Sequence, residues 1–339
     1  MTGWGTGVPD AVATNADLSV ALPDIDEDWI VRRSGIHQRH LATSGETTST
    51  LATEAGRRAL ETAGVEARLL DLVVVATCTA DRQIPGIAPT VAHALGAARG
   101  GAFDVNAACA GFLTAFGAVD AMIRAGRIER ALVIGAEVLS RFVDWSDPKT
   151  CVLFGDGAGA VVLERSDEPA GLLSLTFGAD GSGADLIQVP AGGSARPATS
   201  DTIAAREHAI RMNGPEVYRA AVRIMESAAR DAMRDARMDA VDVDLLIAHQ
   251  ANQRIIAEVG ERLGLSEDKV FSNVASFGNT SAASIPIALS EAARQGRLYP
   301  GACFVLTAVG AGLTWAAGAG IWTGARAGVK TLETIGAHA

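Results

Sequence analysis

Three side chains in this sequence are of types, and in places, that could do chemistry. Cys109 sits in "DVNAACAGF" (104–112), just after a strand-like run and at the mouth of an apolar, glycine-containing segment. A free cysteine is usually a small buried hydrophobe. At a helix start, however, unpaired backbone N–H groups and aligned peptide dipoles favour negative charge and lower a thiol pKa. Cys109 is therefore a candidate thiolate nucleophile. His249 stands in "LLIAHQANQRII", at the C-terminal end of an apolar strand, where ligand crevices form in α/β sheets. Its neighbours Gln250, Asn252 and Arg254 make a polar cluster that a packing histidine does not need. Asn279, between "SFG" and "TSAAS", suits a helix cap, and its amide could also donate into a cavity. The glycine turn in "VGAGLTW" (309–315) could aim backbone N–H groups at an oxyanion.

The elements that must bring these residues together occur twice. "DLVVVATCTA" from Asp71 and "DLLIAHQAN" from Asp244 each read as a buried strand after an amphipathic helix. A further strand follows in each, "GAFDVNAACAGF" and "KVFSNVASFGNTSAAS". Then come apolar helical stretches, 110–123 and 280–292, and another strand, "ALVIGAE" or "ACFVLTAV". Cys109 and Asn279 each lie 17 residues before a glycine, Gly126 and Gly296, which puts them at the same place in two βαβ units. Both helices are apolar nearly all round, as helices buried on every side must be. Two halves packed about a pseudo-twofold axis would present both residues to one cavity. Chance likeness between alternating α/β segments is the alternative.

The totals agree with a large globular protein. The chain has 339 residues, 48% of them hydrophobic, and a net charge of -10. That balance argues against a general nucleic-acid binder, although a local basic mouth for an anionic substrate remains compatible with it. Cys78, Cys109, Cys151 and Cys303 show no metal-type spacing, and Cys78, Cys151 and Cys303 read as structural. Cys78 ends a strand, and the other two lie in strand-like runs. No export signal is visible at the N-terminus, so a cytoplasmic location is expected. Residues 301–322 carry no charge and are long enough to span a membrane, but their glycines favour strand, tight turn, strand. "FGDGAGAVVL" (154–163) matches a dinucleotide-binding pattern only formally, because a strand follows the glycines where a helix should; it reads as a hairpin.

Taken together, "DVNAACAGF", "HQANQRII", "FGNTSAASIPIAL", "FGDGAGAVVLE", "GAGLTW" and the N-terminal "DEDWIVRRSGIHQRH" resemble the β-ketoacyl-acyl carrier protein synthase III family of the thiolase superfamily, from about Gly5 to Trp322. The resemblance implies an α/β fold of five layers, αβαβα, with two duplicated halves. These are an N-terminal half (1–165) with the nucleophile and a C-terminal half (207–326) with His and Asn. A connecting loop over the acyl pocket (166–206) and a tail (327–339) complete the chain. It also implies a homodimer and a Cys109–His249–Asn279 triad. The acyl oxyanion would be held by the N–H groups of Cys109 and Ala311. Trp29 and Arg33 match residues that flank the adenine of coenzyme A, and Arg219, Asn252 and Arg254 match the pantetheine and phosphate entrance. Ile84 matches a position that reaches the acyl pocket from the partner subunit. The substrates implied are acyl-coenzyme A and a malonyl thioester on acyl carrier protein, with no metal or redox cofactor, no nucleic acid and no membrane.

The implied reaction is a decarboxylative condensation, in fatty-acid initiation or polyketide priming. An acyltransferase of the same fold, passing the acyl group to an alcohol, amine or carrier-protein acceptor, is the alternative; a non-catalytic subunit would be expected to lack the cysteine. The sequence departs from the family in two places. Pro148 and Lys149 stand where an arginine often stacks on the nucleotide, and the first strand looks nearly missing. Residues 188–206, rich in small side chains, read as the loop over the acyl pocket.

Overall fold

The computed structural model describes residues 1–22, 24–97, 100–167 and 170–324; the expected tail at 327–339 and the last two residues of the C-terminal half lie outside them. One sheet contains β1 (Gly3–Gly7), β2 (Leu72–Ala76), β3 (Gly101–Val105), β4 (Arg130–Val138) and β5 (Asp156–Glu164), in the order β1-β5-β4-β2-β3. The other contains β6 (Gly171–Ala179), β7 (Leu245–Ala248), β8 (Cys303–Gly310) and β9 (Thr314–Ile321), in the order β7-β8-β9-β6. The helices used below are α1 (Glu27–Ser34), α2 (Thr48–Ala63), α3 (Ala88–Leu95), α4 (Gly111–Arg124), α5 (Gly214–Asp235), α6 (Gln253–Leu263) and α7 (Ser284–Arg294).

Strands β2 and β7 are apolar without alternation because both faces of each sheet are covered. Leu72 and Val74 face an inner core with Phe112, Leu113, Ile285 and Leu289, while Val73 and Val75 face α2 and α3. In the second sheet Leu245 and Ile247 join the same inner core, and Leu246 and Val305 pack against α5 and α6. The layers therefore run α2/α3, sheet, α4/α7, sheet, α5/α6, the five-layered arrangement expected. The pairings repeat as well: β2 with β4 and β7 with β8 are parallel, and β4 with β5 and β8 with β9 antiparallel.

Several expectations need correction. The first strand is present: β1 pairs with β5 over five residues, and its glycines let it lie directly on the backbone of α2. Residues 166–206 are not all loop, since β6 lies among them and forms the edge of the second sheet. The strand expected in "KVFSN" is reduced to one parallel bridge, Leu246 to Val270. "DGAGAVVLE" is a strand, but not half of a tight hairpin. A long excursion separates it from β4, and a Cβ at Gly159 would meet the backbone of α7. The uncharged stretch from Gly301 is β8, turn, β9, and no helix among the described residues is long and apolar enough to cross a membrane.

Candidate active site

Cys109 is not the first residue of the α-helix. It occupies a 3-10 turn, Ala108–Ala110, that leads into α4, and Ala108 has a left-handed φ of 46°. The second half repeats this turn at Ser281–Ala283 before α7, with Ser281 at φ 49°. In each case an asparagine two residues earlier accepts a hydrogen bond from the left-handed residue. Asn106 Oδ1 takes the N–H of Ala108 at 3.2 Å, and Asn279 Oδ1 takes that of Ser281 at 2.9 Å. The internal counterpart of Asn279 is thus Asn106, not Cys109. The equal 17-residue spacing misaligns the halves because α4 has 14 residues and α7 has 11, so a register that matches at the closing glycines is three residues off at the start.

The halves nevertheless meet at these turns. A Cβ on Gly310, at the end of β8, would come within 2.6 Å of the Cys109 nitrogen, and one on Gly135 of β4 would strike the carbonyl of Ala282. Each turn is seated on a central strand of the opposite half. Asn279 is also held by main chain from the first half: its N–H donates to Leu153 O at 2.8 Å and its carbonyl accepts from Gly155 N at 3.0 Å.

A cavity of about 1540 Å³ joins the proposed groups. Its walls include Cys109, His249, Asn279, Ala311, Trp29, Arg33, Arg219, Asn252 and Arg254. Of the candidate site residues only Ile84 lies elsewhere, 86% exposed on the surface of this single chain. Of residues 188–206, only Gln188 and Val189 line the cavity; the rest of that segment is not its wall.

Burial sets the charge states. It pushes the Cys109 thiol up to about 11, reinforced by the negative charge of Glu137 and opposed by hydrogen bonds from Ser281 and the cysteine's own N–H. The lowering expected from a helix start is outweighed, so the resting group is a thiol. His249 is 2% exposed, and burial pulls it down to about 4, leaving a neutral imidazole. Its Nδ1 lies 2.7 Å from Ser284 Oγ. Gln250 N–H donates to the same oxygen at 3.4 Å, an arrangement compatible with the serine donating to Nδ1 and the imidazole proton standing on Nε2. For Asn279 the logic is similar: only its oxygen can pair with the Ser281 N–H, so its NH2 is the free end.

At the mouth, the Arg33 guanidinium lies 4.6 Å from the Trp29 ring centre, and Arg254 lies 5.2 Å from that of Tyr218. Asn252 is committed elsewhere. Its Oδ1 caps α6 through Arg254 N at 2.9 Å, and its amide donates to Arg33 O at 2.8 Å, tying α1 to α6. Lys149 and Arg211 join Arg33, Arg219 and Arg254 in the wall, so this acidic chain opens through a basic mouth.

Three residues in or next to the site carried no sequence reading, Ser281, Ser284 and Glu137, and a fourth, Cys78, was read only as structural. Glu137, fully buried at the end of β4, carries the readable signal, a lone acid closing the apolar run "ALVIGAE". Cys78, expected to be structural, instead lines the cavity beyond the end of β2. Cys151 lies in a buried turn rather than a strand, and Cys303 opens β8. Among the described residues no group of three His, Cys, Asp or Glu side chains is placed to hold a metal ion.

Comparison with known proteins gives a consistent result. The chain matches two family models, 3-oxoacyl-[acyl-carrier-protein (ACP)] synthase III over residues 103–181 and the C-terminal region of the same family over 233–322. It is 48% identical over 323 residues to the beta-ketoacyl-[acyl-carrier-protein] synthase III of Roseiflexus sp. (strain RS-1), covering 95% of this chain and 98% of the relative. The crystal structure of the Aquifex aeolicus VF5 3-oxoacyl-[acyl-carrier-protein] synthase III superposes with a TM-score of 0.87 at 41% identity, covering 94% and 98% of the two chains. The priming beta-ketosynthase of the R1128 polyketide pathway gives 0.87 at 34%, with 95% of each chain covered. The chain belongs to the 3-oxoacyl-[acyl-carrier-protein] synthase III family, on the thiolase-like fold.

Proposed function

We propose that Cys109, His249 and Asn279 divide between them the two half-reactions of a decarboxylative condensation. The Cys109 sulfur attacks the carbonyl carbon of an acyl-coenzyme A thioester, the oxyanion is held by the N–H groups of Cys109 and Ala311, and the coenzyme A thiol leaves. A malonyl thioester on acyl carrier protein then loses carbon dioxide by cleavage of its carboxyl C–C bond. Negative charge collects on the thioester oxygen, where the Nε2–H of His249 and the amide of Asn279 donate hydrogen bonds. The enolate carbon attacks the acyl group, the C–S bond to Cys109 breaks, and a β-ketoacyl thioester departs. The Cys109 proton leaves on the coenzyme A thiol and a solvent proton returns to the sulfur when the product departs, so the steps balance without a metal or redox cofactor.

One observation carries this reading: the cavity that Cys109 lines is also lined by a neutral imidazole and a carboxamide, each tied to a serine through another of its polar atoms. Acyl transfer to an alcohol or amine has no use for a second donor pair of that kind. The basic mouth suits the phosphates of coenzyme A and of a phosphopantetheine arm. The Arg33–Trp29 stack offers a face for the adenine, and Lys149 supplies a cation where the family's arginine is missing.

We also infer a homodimer. β3 is an edge strand with Phe103 39% exposed, and Ile84 stands clear of its own chain, so an apolar rim is left for a second copy. Sedimentation at micromolar concentration should return twice the chain mass.

The main test is intact-mass spectrometry after mixing with acyl-coenzyme A, followed by addition of malonyl-carrier protein. One acyl adduct on Cys109, none in Cys109→Ala, and release of carbon dioxide on the second addition are expected. An ester or amide formed on a small acceptor without carbon dioxide would replace this reading with the acyltransferase one. A panel of acyl donors read in the same way would identify the chain that is loaded and separate fatty-acid initiation from polyketide priming.

A further inference from the structure

Under the duplication, the ends of β4 and β8 carry unlike residues at one equivalent position. Asp71 accepts from Arg130 N at 3.0 Å and Asp244 from Cys303 N at 2.8 Å, so the two strands begin in the same register. The ladders agree, pairing Leu72 with Ala131 and Leu245 with Phe304. Carried forward along the strands, Glu137 corresponds to Gly310. Each meets the 3-10 turn of the opposite half. Gly310 leaves room for the Cys109 turn, whereas Glu137 reaches the other turn with its side chain. The turns differ to match: their left-handed residues are Ala108 and Ser281. Of the two, only the turn that carries Asn279 has a hydroxyl there, and it donates to Glu137 Oε1 at 3.1 Å.

The carboxyl that receives this bond is fixed by its own half. Its Oε2 accepts from Thr79 Oγ1 at 2.5 Å and Thr77 Oγ1 at 3.2 Å, and Cys78 N lies 3.2 Å from both oxygens. Thr79 Oγ1 in turn accepts from Val138 N at 2.9 Å, and Thr77 Oγ1 from Thr79 N at 3.0 Å, so both hydroxyl protons are turned to Glu137. Oε1, which also takes the Cys78 thiol at 3.3 Å, faces the second half. Glu137 is fully buried, and no basic side chain is among its hydrogen-bond partners in the described residues. An acid buried without a cation is costly unless its hydrogen bonds are made.

Ser281 passes this fixation on. Its N–H donates to Asn279 Oδ1 at 2.9 Å from a backbone with φ 49°, a region that non-glycine residues rarely occupy. Such a conformation persists only where the surroundings hold it, and the hydroxyl bond to Glu137 is one such hold. We propose that Glu137, through Ser281, positions the Asn279 amide for the decarboxylation half-reaction. With the anchor in place, the Ser281 N–H keeps the amide oxygen and leaves the NH2 for the substrate. Without it the turn relaxes, the amide rotates, and the thioester oxygen loses one of its two donors. Glu137 and Ser281 are positioning residues, acting through Asn279 rather than on the substrate. The inference rests on Asn279 being an enolate donor.

Ser281→Ala is the direct test, and it should fold, because alanine already holds the equivalent place at Ala108 with φ 46°. Three quantities are measured in the wild type, Ser281→Ala, Asn279→Ala and the double variant: acyl loading of Cys109 by intact mass, carbon dioxide release from preloaded protein, and melting temperature. Ser281→Ala should load and melt close to wild type but release carbon dioxide about tenfold more slowly, the scale of one hydrogen bond to a charged group. In the Asn279→Ala background the same change should cost nothing further, because the amide it positions is gone. Glu137→Gln keeps the shape but offers a single oxygen to several donors, and should slow release at least as much. Wild-type release in Ser281→Ala would overturn the proposal. So would an equal loss in both backgrounds or a matching fall in loading, either of which places the hydroxyl's effect in general packing. Wild-type release in Asn279→Ala would remove the donor assignment and the proposal with it, a result that no Ser281 variant can mimic.

Discussion

His249 and Asn279 are polarised by what their other atoms are tied to: Ser284 fixes one nitrogen of the ring, and the Ser281 N–H fixes the amide oxygen. Replacing either by Ala should therefore lower carbon dioxide release from malonyl-carrier protein by about 100-fold or more, the effect of losing one preorganised donor, while loading of Cys109 changes far less. Equal losses in both half-reactions would contradict the proposed division. Ser284→Ala should cost about 1 kcal/mol of that donor's alignment, near a fivefold loss in decarboxylation. Because His249 is held down to about 4, it stays neutral as pH falls from 8 towards that value. Carbon dioxide release from preloaded protein should show no imidazole titration near pH 6.5; a step there would mean a solvated ring. These residues were legible because each is a polar side chain interrupting an apolar pattern at a strand end or turn. Glu137 met the same criterion in "ALVIGAE" and was passed over. The charge state of Cys109 was not legible. A helix start is local in sequence, whereas the burial that overrides it comes from both halves.

At the scale of elements, the seating of each 3-10 turn on the opposite sheet explains the glycines. Gly310→Ala would drive a methyl group to within 2.6 Å of the Cys109 nitrogen, one of the two proposed oxyanion donors. The backbone cannot rotate away as a side chain could, so a loss of about 1–3 kcal/mol in thermal or denaturant stability is expected. Acyl loading should fall with it; a variant with normal melting and loading would show that the turn is free to move. The duplication could be read from the paired strand motifs, but its register could not. Spacing to the closing glycine carries no information on helix length, and the one-turn difference between α4 and α7 hid the correspondence of Asn106 with Asn279. The edge strand β6 escaped for another reason. It alternates between a half-covered and an open face, and lies next to a segment rich in small residues that drew the whole region into a loop.

For the whole molecule, the contrast between an overall charge of -10 and a basic mouth makes a prediction about salt. Apparent affinity for acyl-coenzyme A should weaken as ionic strength rises and the Debye length shrinks below about 10 Å. A short acyl thioester without nucleotide phosphates should show no such trend. Measuring KM for both donors over a salt series separates screening at the mouth from a general effect on the fold. The five layers were readable from alternating strand and helix patterns, but the convergence of a lysine and four arginines from separate segments was not, because no two of them are neighbours in sequence. The two main-chain bonds that hold Asn279 to Leu153 and Gly155 have a last consequence. They stitch the halves at the cavity floor, far along the chain from the exposed stretch around residues 193–200. A protease that clips that stretch should thus release nothing: the two fragments would travel as one particle and still take up an acyl group.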